Sequence, residues 1–174
     1  MRTLMAAALS IMAAPLVLAA VQSAPDHFIK DAIEGNLAEV QVGELAQQKG
    51  ASQDVKDFGA TLARDHAAAN EKAKQAAQSV GVTPPTKPGV KQKMMYHELS
   101  ALSGERFDRR FIAGMVKDHE DDIAKYEKEA QSGSGPVADY AKQILPDLRK
   151  HLQIAEGLQA RQKSASAADA SKMQ

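Results

Sequence analysis

The sequence predicts an all-α protein: an up-down four-helix bundle with one long crossover between helices two and three. Three observations carry this. Apolar residues recur at spacings of three and four in four long stretches, and no stretch alternates apolar with polar. Gly50-Ala51-Ser52 and Ser132-Gly133-Ser134-Gly135-Pro136 are short turns, so each joins its neighbours into an antiparallel hairpin. Between the hairpins lie roughly 24 residues containing Thr83-Pro84-Pro85-Thr86-Lys87-Pro88-Gly89, which a helix cannot accommodate.

The elements follow in chain order. Met1-Arg2-Thr3 is a short positive start, Leu4 to Leu18 carries no charge, and Ala19-Ala20-Val21 supplies small residues. This is the pattern of a secretory signal peptide over residues 1–20, with cleavage after Ala19 or Ala20. Its apolar run is about 15 residues, short of the roughly 20 that span a bilayer, which disfavours an uncleaved anchor. No later segment is long and apolar enough to span. The expected location is outside the cytoplasm, in the periplasm or against the outer membrane. Mass spectrometry of the exported protein should find its first residue between Ala20 and Pro25; an intact Met1 overturns this expectation.

The bundle is expected over residues 26–160. Helix one runs from Asp26, as N-cap, to Lys49. Helix two runs from about Gln53 to Val80 with Ser52 as N-cap, and Gly81 closes it. Its stripe is Val55, Phe58, Leu62, Ala69, Ala73 and Ala76. Lys91 to Leu102 reads as a short amphipathic helix within the crossover. Helix three spans about Glu105 to Gln131 with Phe107, Phe111, Met115, Ile123 and Tyr126 inward. Helix four covers Val137 to about Arg161 with Pro136 at its first position; Pro146 should kink it. Residues 161–174 are small and polar, a flexible tail. The spacing from Val55-x-x-Phe58 to Asp65 recurs from Val137-x-x-Tyr140 to Asp147, as in two related hairpins. Two hairpins joined by one long crossover form the ferritin-like arrangement.

Composition excludes several function classes. Lys plus Arg total 22 and Asp plus Glu total 22, so there is no basic excess for nucleic acid or an acidic membrane surface. There is no cysteine, which removes disulfides, thiolate metal sites, thiol nucleophiles and a lipid-modified cysteine. Aromatic content is 4% with no Trp, which suits close helix packing and not stacking on sugars. Ser103-Gly104 and Ser132-Gly133 lie in turns, but no G-x-S-x-G elbow exists.

On a wheel of 100° per residue, four ionisable side chains interrupt the apolar stripes. Glu39 falls near the direction of Phe28 on helix one, and His66 falls between Val55 and Gly59 on helix two. His119 follows Met115 by four residues, and His151 follows Leu148 by three. At about 1.5 Å rise per residue all four lie near mid-bundle, within about one helical turn. Asp65, Asp118, Asp122 and Asp147 flank the same stripes. One carboxylate with up to three imidazoles can hold a divalent transition metal, with Asp65 and Asp118 orienting the rings. The competing reading is a polar network that sets bundle register, with Glu39 holding a protonated His66 or His119. A di-iron centre is disfavoured: Ala63, Val116 and Leu148 stand three before the histidines, where that site needs Glu.

The same residues carry a family likeness. Glu39-Val40-x-Val42-Gly43-x-Leu45-Ala46, Val55-Lys56-x-Phe58 through Asp65-His66, and Leu102-Ser103-Gly104-x-x-Phe107-Asp108 follow one another along the chain. Met115-Val116-x-Asp118-His119 and Leu145-Pro146 through His151-Leu152 complete the set. Together they resemble domain-of-unknown-function family 4142 over about residues 26–158. The resemblance implies an exported bacterial protein with a ferritin-like fold, commonly labelled an outer-membrane protein. It implies no established activity, substrate or cofactor. Phe111 departs from the family, which often has Tyr there. The expectation is therefore an exported, non-catalytic bundle with a binding, structural or stress-related role and a protein or small-ligand partner. The alternative is a divalent metal-binding, redox-capable protein using the inward Glu/His cluster.

Overall fold

The computed structural model describes residues 15–172 and is all-helical among them. Five helices follow one another: α1 Pro15–Lys49, α2 Gln53–Ser79, α3 Val90–Ser100, α4 Gly104–Ser132 and α5 Pro136–Lys172. The four long helices are those expected, and α3 is the short helix of the crossover.

Two boundaries differ by many residues from the sequence reading. Helix α1 begins at Pro15 and passes through Pro25, so Asp26 is no cap. Proline forfeits one hydrogen bond there, and the residues around it otherwise form helix readily. Residues 1–14, most of the expected signal peptide, lie outside the described residues. Helix α5 continues past Arg161 to Lys172. No Gly or Pro stops it, and Ala, Lys and Gln favour helix even where residues 163–168 are exposed. Pro146 lies inside α5 without ending it.

The chain directions follow from contacts at the two ends. Phe28 packs edge-on against Tyr126 at one end of α1. At its other end the backbone N–H groups of Ala51 and Ser52 donate to Asp108, at 2.8 and 2.9 Å. Helices α1 and α4 therefore run antiparallel. Likewise Arg161 donates to Asp54 at 3.1 Å and His151 to Asp65 at 3.0 Å, so α2 and α5 are antiparallel. With α1 and α2 joined by a tight turn, α2 and α4 must point the same way. The segment carrying α3 runs the length of the bundle to achieve this.

Asp108 has a structural task. It is buried on α4, and its two carboxylate oxygens cap the α1–α2 turn from across the bundle. Ser52 adds its own cap, accepting from the Val55 N–H at 3.3 Å. Arg110 and Glu98 form a forked pair at 2.5 and 2.7 Å that holds α3 on α4. Lys49 donates to the carbonyls of Ser100 and Leu102 and ties the far end of α3 to α1.

Two apolar clusters fill the interior, one at each end. The first contains Ile29, Ile33, Ala73, Tyr126, Tyr140 and Ile144. The second contains Val42, Phe58, Leu62, Phe107, Phe111 and Met115. Each long helix changes cluster at a buried polar residue. On α2, His66 stands between Leu62 and Ala69; on α4, His119 lies between Met115 and Tyr126. On α5, His151 separates Leu148 from Ala155, and on α1 Asn36 and Glu39 separate Ile33 from Val42. A polar layer thus crosses the middle of the bundle.

Candidate metal centre

Each member of the layer is placed by helix geometry. His66, His119 and His151 sit one turn from the apolar neighbours that define their stripes, so packing of the stripe turns each ring inward. All three are buried, at 4%, 2% and 1% exposure. One ring nitrogen from each lies within 4.8 Å of the other two. The rings sit at centroid distances of 5.7, 5.3 and 5.4 Å.

The hydrogen bonds around the rings determine where the protons are. His119 Nδ1 is 2.9 Å from the Met115 carbonyl oxygen, which only accepts, so Nδ1–H donates. His151 Nε2 is 3.0 Å from an Asp65 carboxylate oxygen, so Nε2–H donates. Asn36 Nδ2 donates to the Tyr140 hydroxyl at 3.0 Å. Its Oδ1 therefore faces His66 Nδ1 at 2.9 Å and accepts from it. Every outward ring nitrogen carries its hydrogen toward a fixed acceptor.

The remaining nitrogens are bare lone pairs. They are His66 Nε2, His119 Nε2 and His151 Nδ1. His66 Nε2 is buried without a hydrogen-bond partner. His119 Nε2 and His151 Nδ1 lie 3.4 Å apart, and with both rings neutral in these tautomers neither carries a hydrogen to share. Three acceptors facing one another repel unless something positive lies among them. The separation also has metal-site scale: two imidazoles about 2.0–2.1 Å from a tetrahedral zinc have nitrogens about 3.4 Å apart.

Electrostatics favour the neutral form of His66 and His119. Burial, then the neighbouring His119 and His151, pushes His66 well below the usual histidine value. Burial and His151 push His119 down to about 4, against the opposing Met115 carbonyl. Burial alone would raise Asp65, but its bonds from Arg64 and His151 outweigh this and hold it below the usual carboxylate value. An ionised Asp65 behind His151 is the carboxylate–histidine arrangement that orients a metal ligand and raises its basicity.

Of the residues expected at this centre, the structure unites His66, His119 and His151, with Asp65 on the outer nitrogen of His151. Glu39 is not in that group. It is buried at 6% exposure and faces a cavity of about 60 Å³ between α1, α3 and α4, shared with Asp118, Asp122 and Met95. Burial, then the charges of Asp118 and Asp122, pushes its carboxyl well above the usual range. Asp118 also lines that cavity and makes no hydrogen bond to a ring among the described residues. Asp147 is exposed.

The sequence reading missed Asn36, and it placed Tyr126 inward and Tyr140 in the repeat without assigning either hydroxyl to the polar layer. Asn36 joins His66 to Tyr140, whose hydroxyl lies 3.1 Å from that of Tyr126. The available signal was an uncharged polar side chain on the helix-one stripe, three residues after Ile33.

A family model described as Domain of unknown function (DUF4142) matches residues 12–158. No curated protein and no solved structure matches the chain.

Proposed function

Since the chain belongs to that family, whose description assigns no role, we propose from the site itself that the protein binds a divalent transition metal through His66, His119 and His151. The observation that carries this reading is the convergence of three imidazole lone pairs whose opposite nitrogens are all committed as donors. Imidazole nitrogens suit zinc, copper, iron and nickel. Three protein ligands leave a further position on the ion for water or a small ligand. The ligand set is neutral, and Asp65 behind His151 supplies partial charge compensation.

The ferritin-like arrangement belongs to the same proposal. Its support is the pair of antiparallel hairpins and the traversing crossover. Export to the periplasm is likewise proposed, on the apolar start of the chain.

The test is a thermal titration of metal-free protein with Zn²⁺ and Cu²⁺. An ion that binds only the native state stabilises it by about 2.7 kcal/mol at a hundredfold excess over Kd. The melting temperature of the wild type should rise, and EDTA should reverse the rise. His66→Gln and His119→Gln together should abolish it. No rise in wild type, or an equal rise in the double variant, defeats the reading. The trio would then be a polar network tying α1, α2, α4 and α5 in register, as the Asn36–His66 and Asp65–His151 bonds also allow.

A further inference from the structure

Glu39 stands apart from the histidines and has no role in binding their ion. One of its carboxylate oxygens, Oε2, is fully buried without a hydrogen-bond partner. The residue lines the cavity between α1, α3 and α4. Carboxylates prevail around this space: Glu39, Asp118, Asp121 and Asp122 against Lys91 and Lys125. Both lysines are drawn toward carboxylates; Lys125 donates to Asp122 at 2.7 Å, and Lys91 lies close enough to Asp118 to oppose burial, which still holds that carboxyl above its usual value. Asp121 is held at 2.9 Å by Lys117. Glu39 is left with an orphaned oxygen in a region of negative potential.

We propose that this cavity is a second cation site, taking a hard, partly hydrated divalent ion of the Ca²⁺ class between Glu39 and Asp118, with Asp122 beside them. A buried carboxyl oxygen without a partner is costly, and a cation that displaces the carboxyl proton satisfies it while offsetting the negative charge of Asp118 and Asp122. Oxygen-only ligands select calcium or magnesium over the metals that imidazole prefers. The volume, about 60 Å³, holds about four waters. Among the described residues the carboxylates do not close into a group of three direct ligands as the histidines do. The ion therefore keeps water in its remaining positions, as hard cations commonly do. Supply from solvent is direct. The cavity shares Gly35, Lys91, Gln92, Asp122 and Lys125 with a larger groove of about 780 Å³ on the same face.

Asp118 and His119 are consecutive on α4, so their side chains leave the helix about 100° apart. One strand of backbone thus serves a nitrogen site inside the bundle and an oxygen site beneath α3. The two are chemically separable, because Ca²⁺ binds imidazole poorly.

The experiment is calorimetric titration of metal-free, full-length protein with Ca²⁺. Wild type should bind one Ca²⁺, and Glu39→Gln should weaken it about tenfold or more by removing the buried ligand charge. Asp118→Asn should weaken it similarly; that residue is only half-buried, so the variant keeps the fold if Glu39→Gln does not. The His66→Gln/His119→Gln double variant should bind Ca²⁺ as wild type does, whether or not it still takes Zn²⁺. No heat at millimolar Ca²⁺, or unchanged affinity in Asp118→Asn, overturns the proposal. Loss of Ca²⁺ binding in the folded histidine variant also overturns it, because the two sites would then be one.

Discussion

Acidifying the metal-free protein from pH 7 to pH 4 is expected to remove about 3 kcal/mol of stability through His119 alone. The sign follows from proton counting. His119 titrates near 6.5 when unfolded and about 4 when folded. Between those values the unfolded chain binds a proton that the folded one refuses. The stabilisation is complete above pH 6.5 and is lost as the pH falls through about 4. His66, buried and also pushed down, adds to the same loss. Glu39 opposes them: its raised carboxyl holds a proton in the folded state, so its contribution falls as pH rises above about 4.5. Below about pH 4.5 Glu39 no longer opposes them. Urea unfolding in EDTA at pH 7, 5.5 and 4 reads the slope. His119→Gln should flatten it by about one proton. An unchanged slope in that variant would mean that His119 is charged or solvated in the fold.

Replacing Gly43 by Ala is expected to destabilise the protein by about 3 kcal/mol or more, through a clash that cannot relax. A Cβ at Gly43 would stand 2.5 Å from the Gly59 carbonyl oxygen and 2.9 Å from the Ala63 nitrogen. One at Gly59 would meet the Gly43 carbonyl oxygen at 2.6 Å and the Ala46 methyl at 2.7 Å. The obstacles are mostly backbone, so relief requires α1 and α2 to move apart. That separation would open the apolar cluster around Val42 and Phe58 and shift Asn36 relative to His66. Gly35 provides the contrast on the same helix, since a Cβ there meets nothing within 4 Å. Gly35→Ala should stabilise by about 0.5–1 kcal/mol, by restricting the unfolded chain and favouring helix. Chemical denaturation of both variants decides the matter. Equal, small effects would refute the close approach of α1 and α2.

Much of the layout was legible because it is local. Val55, Phe58, Leu62 and Ala69 recur at the helical period, so the inward direction of His66 follows from its neighbours. Residue counts at a constant rise give depth, which is why three histidines on three helices could be placed at one level. Ser52, Gly81 and Pro136 marked ends by their own backbone chemistry. Asp26 failed as a boundary because a cap is only a preference, and helix can continue through a proline when both flanks are helix-forming.

The sequence by itself determined an all-helical chain, two hairpins, a traversing crossover, and histidines at a common inward depth. These depend on a 3.6-residue period and a fixed rise, which any stretch of chain displays alone. Only the tertiary structure decided that Glu39 leaves the trio for the cavity under α3. It also decided that Asn36, Met115 and Asp65 set the three tautomers, and that Gly43 and Gly59 let α1 and α2 touch. Those outcomes depend on which neighbour each helix turns a given side chain toward. A rotation of one helix by a fraction of a turn exchanges one neighbour for another while leaving its own periodicity intact.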